Sequence, residues 1–584
     1  MNVAVDYNSL VTQTFCDNAI RSVMMIDDQF VPYPDLVQSL TNGEKVDKQL
    51  LATSQRAANL EKFFQEKHIL CDIDNTSSNL NIERIRKSDL LIIDYHLENE
   101  DPRKTLEVLS GLKESKHFNL AIVYTSNELN KVWMQIASSF VVAKDIYSQI
   151  DEIEDLDVFW SETILPSIEA GSEYSLSDRD LINYLRTGKT KGQIKGLLAQ
   201  SPFRNSKDKI CNLIYNYYID KFQIRASQND KDLTILGDEN GNKWIKSGNV
   251  FVCLYQKSAN DIQEDPIRIW ETLQQSLVNW EPTYYQLIQS EIQNHIESDS
   301  MAFNSIHDND RHGQAAWLQE ILKSKNQTET SQLITNIYAD VSEELSFKFN
   351  NNSELGRFIE LTFNFYKNKF NPEFDTNLAK FCCEQMKLSF NANKTPKDMY
   401  HALNMHLSSK NYQNEYISTG TIFKTISEPD ETDQPATWYL CVSAACDMIP
   451  NQANDPYNDR LTPHRLIRVL KLFPANQENA IQFATHSKYV YVYDNDQRKY
   501  FSILNETSNL PALDYMIIKN HADELKRKEI PLMIFTKDHT GNVAIKDIRV
   551  KPKSQLRIGY AERYQSIASQ HGARIGVDYI NSDI

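Results

Sequence analysis

Val23-Met24-Met25-Ile26-Asp27-Asp28 and Leu90-Leu91-Ile92-Ile93-Asp94 are the stretches on which the fold turns. Each is a short, wholly apolar run that stops at a carboxylate. A third run, Leu120-Ala121-Ile122-Val123-Tyr124, stops at Thr125-Ser126. Apolar runs this short, bounded by polar residues, read as strands covered on both faces, the condition of a parallel sheet. In an open parallel sheet, ligands bind beyond the C-terminal ends of the strands. Two adjacent carboxylates, a third carboxylate and a hydroxyl collected at that edge suit a hard divalent cation and a phosphoryl group.

Working outward, the first 150 residues alternate strand and helix. Strands are expected at Ser22–Ile26, His68–Ile73, Leu90–Ile93, Leu120–Tyr124 and Phe140–Ala143, and an irregular insertion at Pro32–Lys48. Helices are expected at Ala52–Lys67, Pro102–Glu114 and Glu128–Ala137, with a short one before Asp94. That alternation predicts an α/β domain with a doubly wound parallel sheet. An acidic stretch, Asp151–Asp157, follows. Asp180–Ser201 carries Arg186, Lys189, Lys191 and Lys195, which read as a solvated helix and loop before they read as an anion contact.

Further on the pattern changes. Leu233–Leu236 and Trp244–Lys246 flank the turn signal Asp238-Glu239-Asn240-Gly241, and Val250–Tyr255 adds another strand. From Pro266 to about Phe370 the apolar residues recur at helix spacing. Strands return after Thr437, at Trp438–Val442, Tyr489–Tyr493 and Leu532–Phe535, with a second turn signal at His539-Thr540-Gly541-Asn542. The expected organisation is a parallel α/β domain over 1–150 and a helical linker region over 151–230. A β-hairpin plus mainly helical domain follows over 231–430, then a mixed α+β domain over 431–584.

Composition bounds the function. The chain has 584 residues, 41% of them hydrophobic, enough for several cores. A net charge of -17 argues against a broad nucleic-acid or anionic-membrane surface. The start of the sequence lacks the pattern of a secretory signal, and no apolar stretch is long enough to span a bilayer. Eight scattered cysteines without paired CxxC spacing indicate neither a zinc site nor a disulfide framework. Cytoplasmic residence is the expectation. Glycine-rich phosphate loops of the GxxxxGK[ST] and GxGxxG types are absent from the sequence.

Two other groupings have plain readings. His307, Asp308, Asp310 and His312 suit a polar inter-helix loop as well as a metal. Cys441 and Cys446, with Asp447, His464 and His486 further along, would need to meet in space before a nucleophilic cysteine is argued.

The acidic set carries the chemistry. A carboxylate can accept a phosphoryl group when its charge is masked and the phosphorus is held in line. Asp27 or Asp28, Asp94 itself and a backbone carbonyl, that of His96, would supply the protein ligands of an octahedral Mg²⁺. The Thr125 hydroxyl would bond a phosphoryl oxygen, and a lysine would neutralise another.

In order and spacing these residues resemble the receiver domain of bacterial response regulators, a flavodoxin-like fold. The resemblance implies that Asp94 is the phosphoacceptor, Asp27 and Asp28 the acidic metal pair, and Thr125 the switch hydroxyl. Receivers usually end their last strand in Lys-Pro. Lys144 after Phe140–Ala143 is the candidate here, with Asp145 in place of the proline. The whole chain resembles the effector-less, phosphate-buffering regulators of Detocs-type anti-phage phosphorelays. That likeness implies a sensor histidine kinase as partner, a second response regulator in the same system, and no enzymatic activity beyond uptake of a phosphoryl group. Two alternatives stay open at this point, a receiver-controlled effector enzyme acting through the C-terminal region and a scaffold with a degenerate receiver.

Overall fold

The computed structural model describes residues 6–30, 37, 41, 48–75, 82–97, 101–113, 115, 118–141, 146–222, 235–237, 241–257, 261–298, 311–324, 327–373, 377–413, 416–426, 436–449, 460–494, 497–521 and 528–572. They form two compact units, Met1–Ala302 with Lys348–Lys369, and Phe303–Phe347 with Phe370–Ile584. Most of the Pro32–Lys48 insertion, Lys144, and much of the His307–His312 cluster lie outside the described residues.

The first unit is built on a seven-stranded sheet: β1 (Ser22–Ile26), β2 (Leu70–Asp74), β3 (Leu90–Ile93), β4 (Asn119–Thr125), β5 (Ile235–Leu236), β6 (Trp244–Ser247) and β7 (Val250–Gln256). Their spatial order is β2-β1-β3-β4-β7-β6-β5. The five strands from β2 to β7 run parallel, and β6 and β5 add an antiparallel edge. The helices α1 (Tyr7–Thr12), α2 (Lys48–Glu66), α3 (Ile82–Ile85), α4 (Arg103–Lys113) and α5 (Leu129–Phe140) connect or flank the first strands.

The strand residues sort by the two-residue period of a pleated chain. Val23, Met25, Leu90, Ile92, Leu120, Ile122, Tyr124, Phe251 and Cys253 enter one core, shared with Leu60 and Phe64 of α2 and with Trp270. Met24, Ile26, Leu91, Ile93, Ala121, Val123, Val252 and Leu254 enter the other, shared with Leu106 and Leu109 of α4 and Trp133 of α5. Both faces are therefore apolar, which is why β3 and β4 are buried along their whole length.

Two expectations need correction. Phe140 ends helix α5 instead of opening a strand. The fifth parallel strand is β7, which pairs with β4 from Asn119↔Val250 to Thr125↔Gln256. Between them lie helices at Ile146–Asp151, Leu156–Phe159, Leu165–Glu169, Asp178–Thr187, Gly192–Gln200 and Lys207–Asp220, whose Ile168, Leu181, Ile194, Ile214 and Tyr215 extend the α4–α5 core. The α/β unit thus runs through the expected boundaries at 150 and 230, because β5, β6 and β7 complete its sheet. Helix Asp265–Trp280, helix Tyr284–Ser298 and helix Ser353–Lys369 belong to the same unit.

The second unit contains antiparallel strands β8 (Ser409–Asn411), β9 (Thr421–Ile426), β10 (Trp438–Cys441), β11 (Arg465–Pro474), β12 (Tyr489–Asp494), β13 (Gln497–Ser502), β14 (Leu513–Ile518), β15 (Ile530–Lys537) and β16 (Val543–Leu556). Pairings run β10-β9-β16-β15-β14-β11, and β11 also pairs with β10, so six strands close into a barrel. Closure leaves these strands no free edge. Phe423, Tyr439, Cys441, Ile467, Val469, Met516, Leu532 and Val550 fill its interior. Ile422, Trp438, Leu440 and Leu470 face outward beneath the β12–β13 hairpin and the helix Ile558–Gly572. The expected strands at Trp438, Tyr489 and Leu532 are present, and Gly541, at φ +86°, makes the expected turn between β15 and β16. Among the described residues no helix is long and apolar enough to cross a membrane.

Candidate functional site

The acidic trio assembles at the C-terminal edge of the parallel sheet. Asp27 and Asp28 follow β1, and Asp94 follows β3, its N–H bonded to the Ile26 carbonyl at 2.9 Å. That bond continues the β1–β3 ladder by one residue and brings the carboxylates to one place. Ligand oxygens of Asp27, Asp28 and Asp94 all lie within 4.8 Å of one another. Asp27 and Asp94 are buried and Asp28 is exposed.

Each carboxylate has an anchor. Asp27 Oδ1 accepts from the Gln29 N–H at 3.0 Å, and Asp94 Oδ1 from the Tyr95 N–H at 2.7 Å. The Thr105 hydroxyl in α4 donates to the Asp94 carbonyl at 2.8 Å. Thr125, also buried, ends β4, and its hydroxyl oxygen accepts from the Asn127 N–H at 3.2 Å. The Asn127 amide also meets His96 Nδ1 at 3.0 Å, which ties the loop after Asp94 to the loop after Thr125.

Lys257 supplies the positive charge. Its N–H donates to the Thr125 carbonyl at 2.7 Å, continuing the β4–β7 ladder past Gln256. Its ammonium lies 2.7 Å from Asp27 Oδ2 and 3.2 Å from Asp94 Oδ2, and its side chain is 9% exposed. The sequence reading missed this residue by taking Phe140–Ala143 as the last strand. A signal was available: Val250–Tyr255 was read as a strand, and Lys257 stands just past its end, as Asp94 does after Leu90–Ile93.

Burial pushes the Asp94 carboxyl up to about 6; the Lys257 ammonium pulls it down, and Asp27 pushes it further up. Burial also raises Asp28, with the Asp27 charge adding to it and Lys257 opposing. Three carboxylates facing one ammonium leave an excess of negative charge in a low-dielectric place, which is the electrostatic condition a divalent cation relieves. Hard carboxylate oxygens and a backbone carbonyl match the donor set of Mg²⁺.

Behind the site runs a second polar network. Tyr124 of β4 donates to Asp265 at 2.6 Å and Tyr255 of β7 donates to the same carboxylate at 3.1 Å. Arg56 of α2 approaches it at 3.9 Å, and the Lys257 ammonium lies 5.2 Å from the centre of the Tyr124 ring. Asp265 is 1% exposed and begins the helix Asp265–Trp280. Burial and the Asp265 carboxylate push the Tyr255 hydroxyl up to about 12. The strands that deliver Thr125 and Lys257 are therefore pinned to each other through one buried carboxylate.

Residues 19–172 match the family model of the response receiver domain. The match takes in Asp27, Asp28, Asp94 and Thr125 but ends 85 residues short of Lys257. No curated protein and no solved structure matches the chain. The sheet that holds the matched segment is thus completed, in three dimensions, by a strand that follows a long helical excursion.

Among the described residues, Cys441, Cys446, His464 and His486 have separate surroundings. Cys446 is exposed, and its thiol donates to the Asp447 carboxylate at 3.4 Å. His464 accepts from the Asn520 N–H at 3.1 Å, whereas His486 packs on the Phe483 ring at 5.0 Å. Cys441 is buried in the barrel interior. Lys191 pairs with Asp180 at 3.0 Å and Lys195 with Asp208 at 2.7 Å, the solvated pairing expected of a surface helix.

Proposed function

We propose that this protein is a response-regulator-type phosphoacceptor in which Asp94 takes a phosphoryl group from the phosphohistidine of a partner kinase. The observation that carries the reading is the meeting of Asp27, Asp28 and Asp94 with the Lys257 ammonium at one sheet edge. Asp94 attacks phosphorus through a carboxylate oxygen, the P–N bond to the donor imidazole breaks with its electron pair, and an acyl phosphate forms. Asp27, Asp28, Asp94 and the His96 carbonyl would hold Mg²⁺, which when bound masks the charge on the incoming phosphoryl oxygens. Lys257 neutralises a second phosphoryl oxygen and exchanges part of its contact with Asp27 for it. The Thr125 hydroxyl, at the same edge, donates to a third and so carries the new charge into β4.

The pairing of Lys257 with Asp27 and Asp94 holds the carboxylates at close range before any donor arrives, so little reorganisation remains to be done on phosphorylation. Within this reading the protein absorbs phosphoryl groups in an anti-phage phosphorelay, alongside a second regulator fed by the same kinase. Among the described residues the barrel interior of the second unit is filled by apolar side chains, with Cys441 among them.

The test is transfer of ³²P from a phosphorylated histidine kinase to the full chain with Mg²⁺. Wild type is expected to take the label and Asp94→Asn to take none, with transfer to Lys257→Met strongly slowed. Label that persists in Asp94→Asn removes the proposal.

A further inference from the structure

At the opposite end of the same sheet is a cavity of about 700 Å³, within the range of small-molecule sites. It lies at the N-terminal ends of β1, β3 and β4, between the β6–β7 turn and helix Tyr284–Ser298. Strand β4 alone separates it from the Thr125 edge by roughly 20 Å, at about 3.3 Å per residue. It is therefore distinct from the acidic site.

Two features of the lining point to a ligand. The first is an aromatic wall. Phe118 stacks on Trp280 with ring centres 5.9 Å apart and planes 13° from parallel, and Phe15 braces both rings at 5.5 and 5.6 Å. Trp280 is buried, whereas Phe118 is 37% exposed, so the stack reaches the cavity through Phe118. The second is charge. Four cations, Arg21, Arg86, Lys87 and Lys246, line the cavity against two carboxylates, Asp89 and Glu297. Asp89 accepts from the backbone of Arg21 and Ser22 at 2.9 Å and Glu297 pairs with Arg21, while the Lys246 ammonium donates to the Gly248 carbonyl and Arg86 to the Gly111 carbonyl at 3.3 Å. The Lys246 ammonium lies 5.4 and 5.8 Å from the Phe118 and Trp280 ring centres, which places a cation beside the stacking face. In a protein of net charge -17, a local excess of positive charge next to an exposed aromatic ring is a specific arrangement.

We infer that this cavity binds a nucleotide: the base extends the Phe118–Trp280 stack, and Arg86, Lys87 and Lys246 take the phosphates. A flat π-system is the surface that an exposed ring end accepts, and guanidinium and ammonium groups are the usual partners of phosphate oxygens. Gln289 of helix Tyr284–Ser298, which also lines the cavity, has an amide that can donate to and accept from a base edge.

The experiment is calorimetric titration of the full chain with ADP, with adenosine and pyrophosphate titrated separately. ADP is expected to bind saturably, at least tenfold tighter than either fragment, and to quench tryptophan emission through Trp280. Phe118→Ala should weaken ADP about tenfold, the worth of one base–aromatic stack, and leave pyrophosphate unchanged. Lys87→Gln, at an exposed position, should weaken ADP and pyrophosphate alike. Unchanged thermal melting of both variants shows that folding is intact, and Asp94→Asn should bind ADP as wild type does. The inference is overturned if ADP gives no saturable heat up to 1 mM. It is equally overturned if ADP binds no tighter than pyrophosphate, or if both variants bind as wild type.

Discussion

Replacing Lys257 by methionine keeps the aliphatic stem and removes the charge, and the structure allows the consequence to be worked through. The ammonium stands 2.7 Å from one buried carboxylate and 3.2 Å from another. At an effective dielectric constant of about 20, each contact amounts to roughly 5–6 kcal/mol of gross Coulomb attraction. Desolvation of the three groups offsets much of that, and removing one partner of a buried pair typically costs about 3–5 kcal/mol, because the remaining charge is stranded. Lys257→Met should therefore lose about 3–5 kcal/mol in urea denaturation at pH 7.5 with EDTA present. Adding Asp94→Asn in the same chain should recover part of the loss by removing one of the stranded charges. Millimolar Mg²⁺ should stabilise the single variant more than wild type, since no ammonium then competes for Asp27. Lys144→Met should leave stability and phosphotransfer as they are in wild type. A loss below about 1 kcal/mol for Lys257→Met, or an equal loss for Lys144→Met, would refute the assignment of Lys257 as the cation of the site.

Three further outcomes are expected. With the Asp94 carboxyl at about 6 in the folded chain against an ordinary value near 3.8, the native state holds the extra proton between those values. Metal-free stability should therefore fall by about 2–3 kcal/mol as pH rises from 4 to 7, and Asp94→Asn should flatten that slope in denaturation series. Asp265→Ala strands the buried Tyr124 hydroxyl and loosens β4 from β7. It should cost about 2–3 kcal/mol and slow phosphotransfer although Asp265 touches none of the three acidic residues. Phe423→Ala opens a cavity in the closed barrel and should cost about 3–5 kcal/mol in a calorimetric transition of the second unit, with phosphotransfer to Asp94 unaffected.

How much of this could be read from the sequence follows from how local each signal is. Asp27, Asp94 and Thr125 were legible because each ends an uninterrupted apolar run, and such a run is visible without knowing what it pairs with. Lys257 ends a run just as plain. What concealed it was the assignment of Val250–Tyr255 to another domain, since strand membership in a sheet is decided by pairing between residues far apart in the chain. The region 151–230 was legible as helical but read as a linker, because nothing local shows the target of its apolar residues, which is the core already occupied by α5. Likewise the strands at Trp438 and Leu532 were evident, but the β10–β11 pairing that closes the barrel depends on a register that no local pattern encodes.

The long excursion between β4 and β7 has a consequence during synthesis. Val250 is translated 125 residues after Thr125, an interval of roughly 6–25 s at 5–20 residues per second. Through that interval β4 has β3 on one side and no neighbour on the other, although it is apolar on both faces. An unpaired strand edge of that kind is a template for intermolecular association. The nascent chain should thus depend on a holding chaperone, or on early docking of the 146–220 helices, until the strand bearing Lys257 emerges to close the edge.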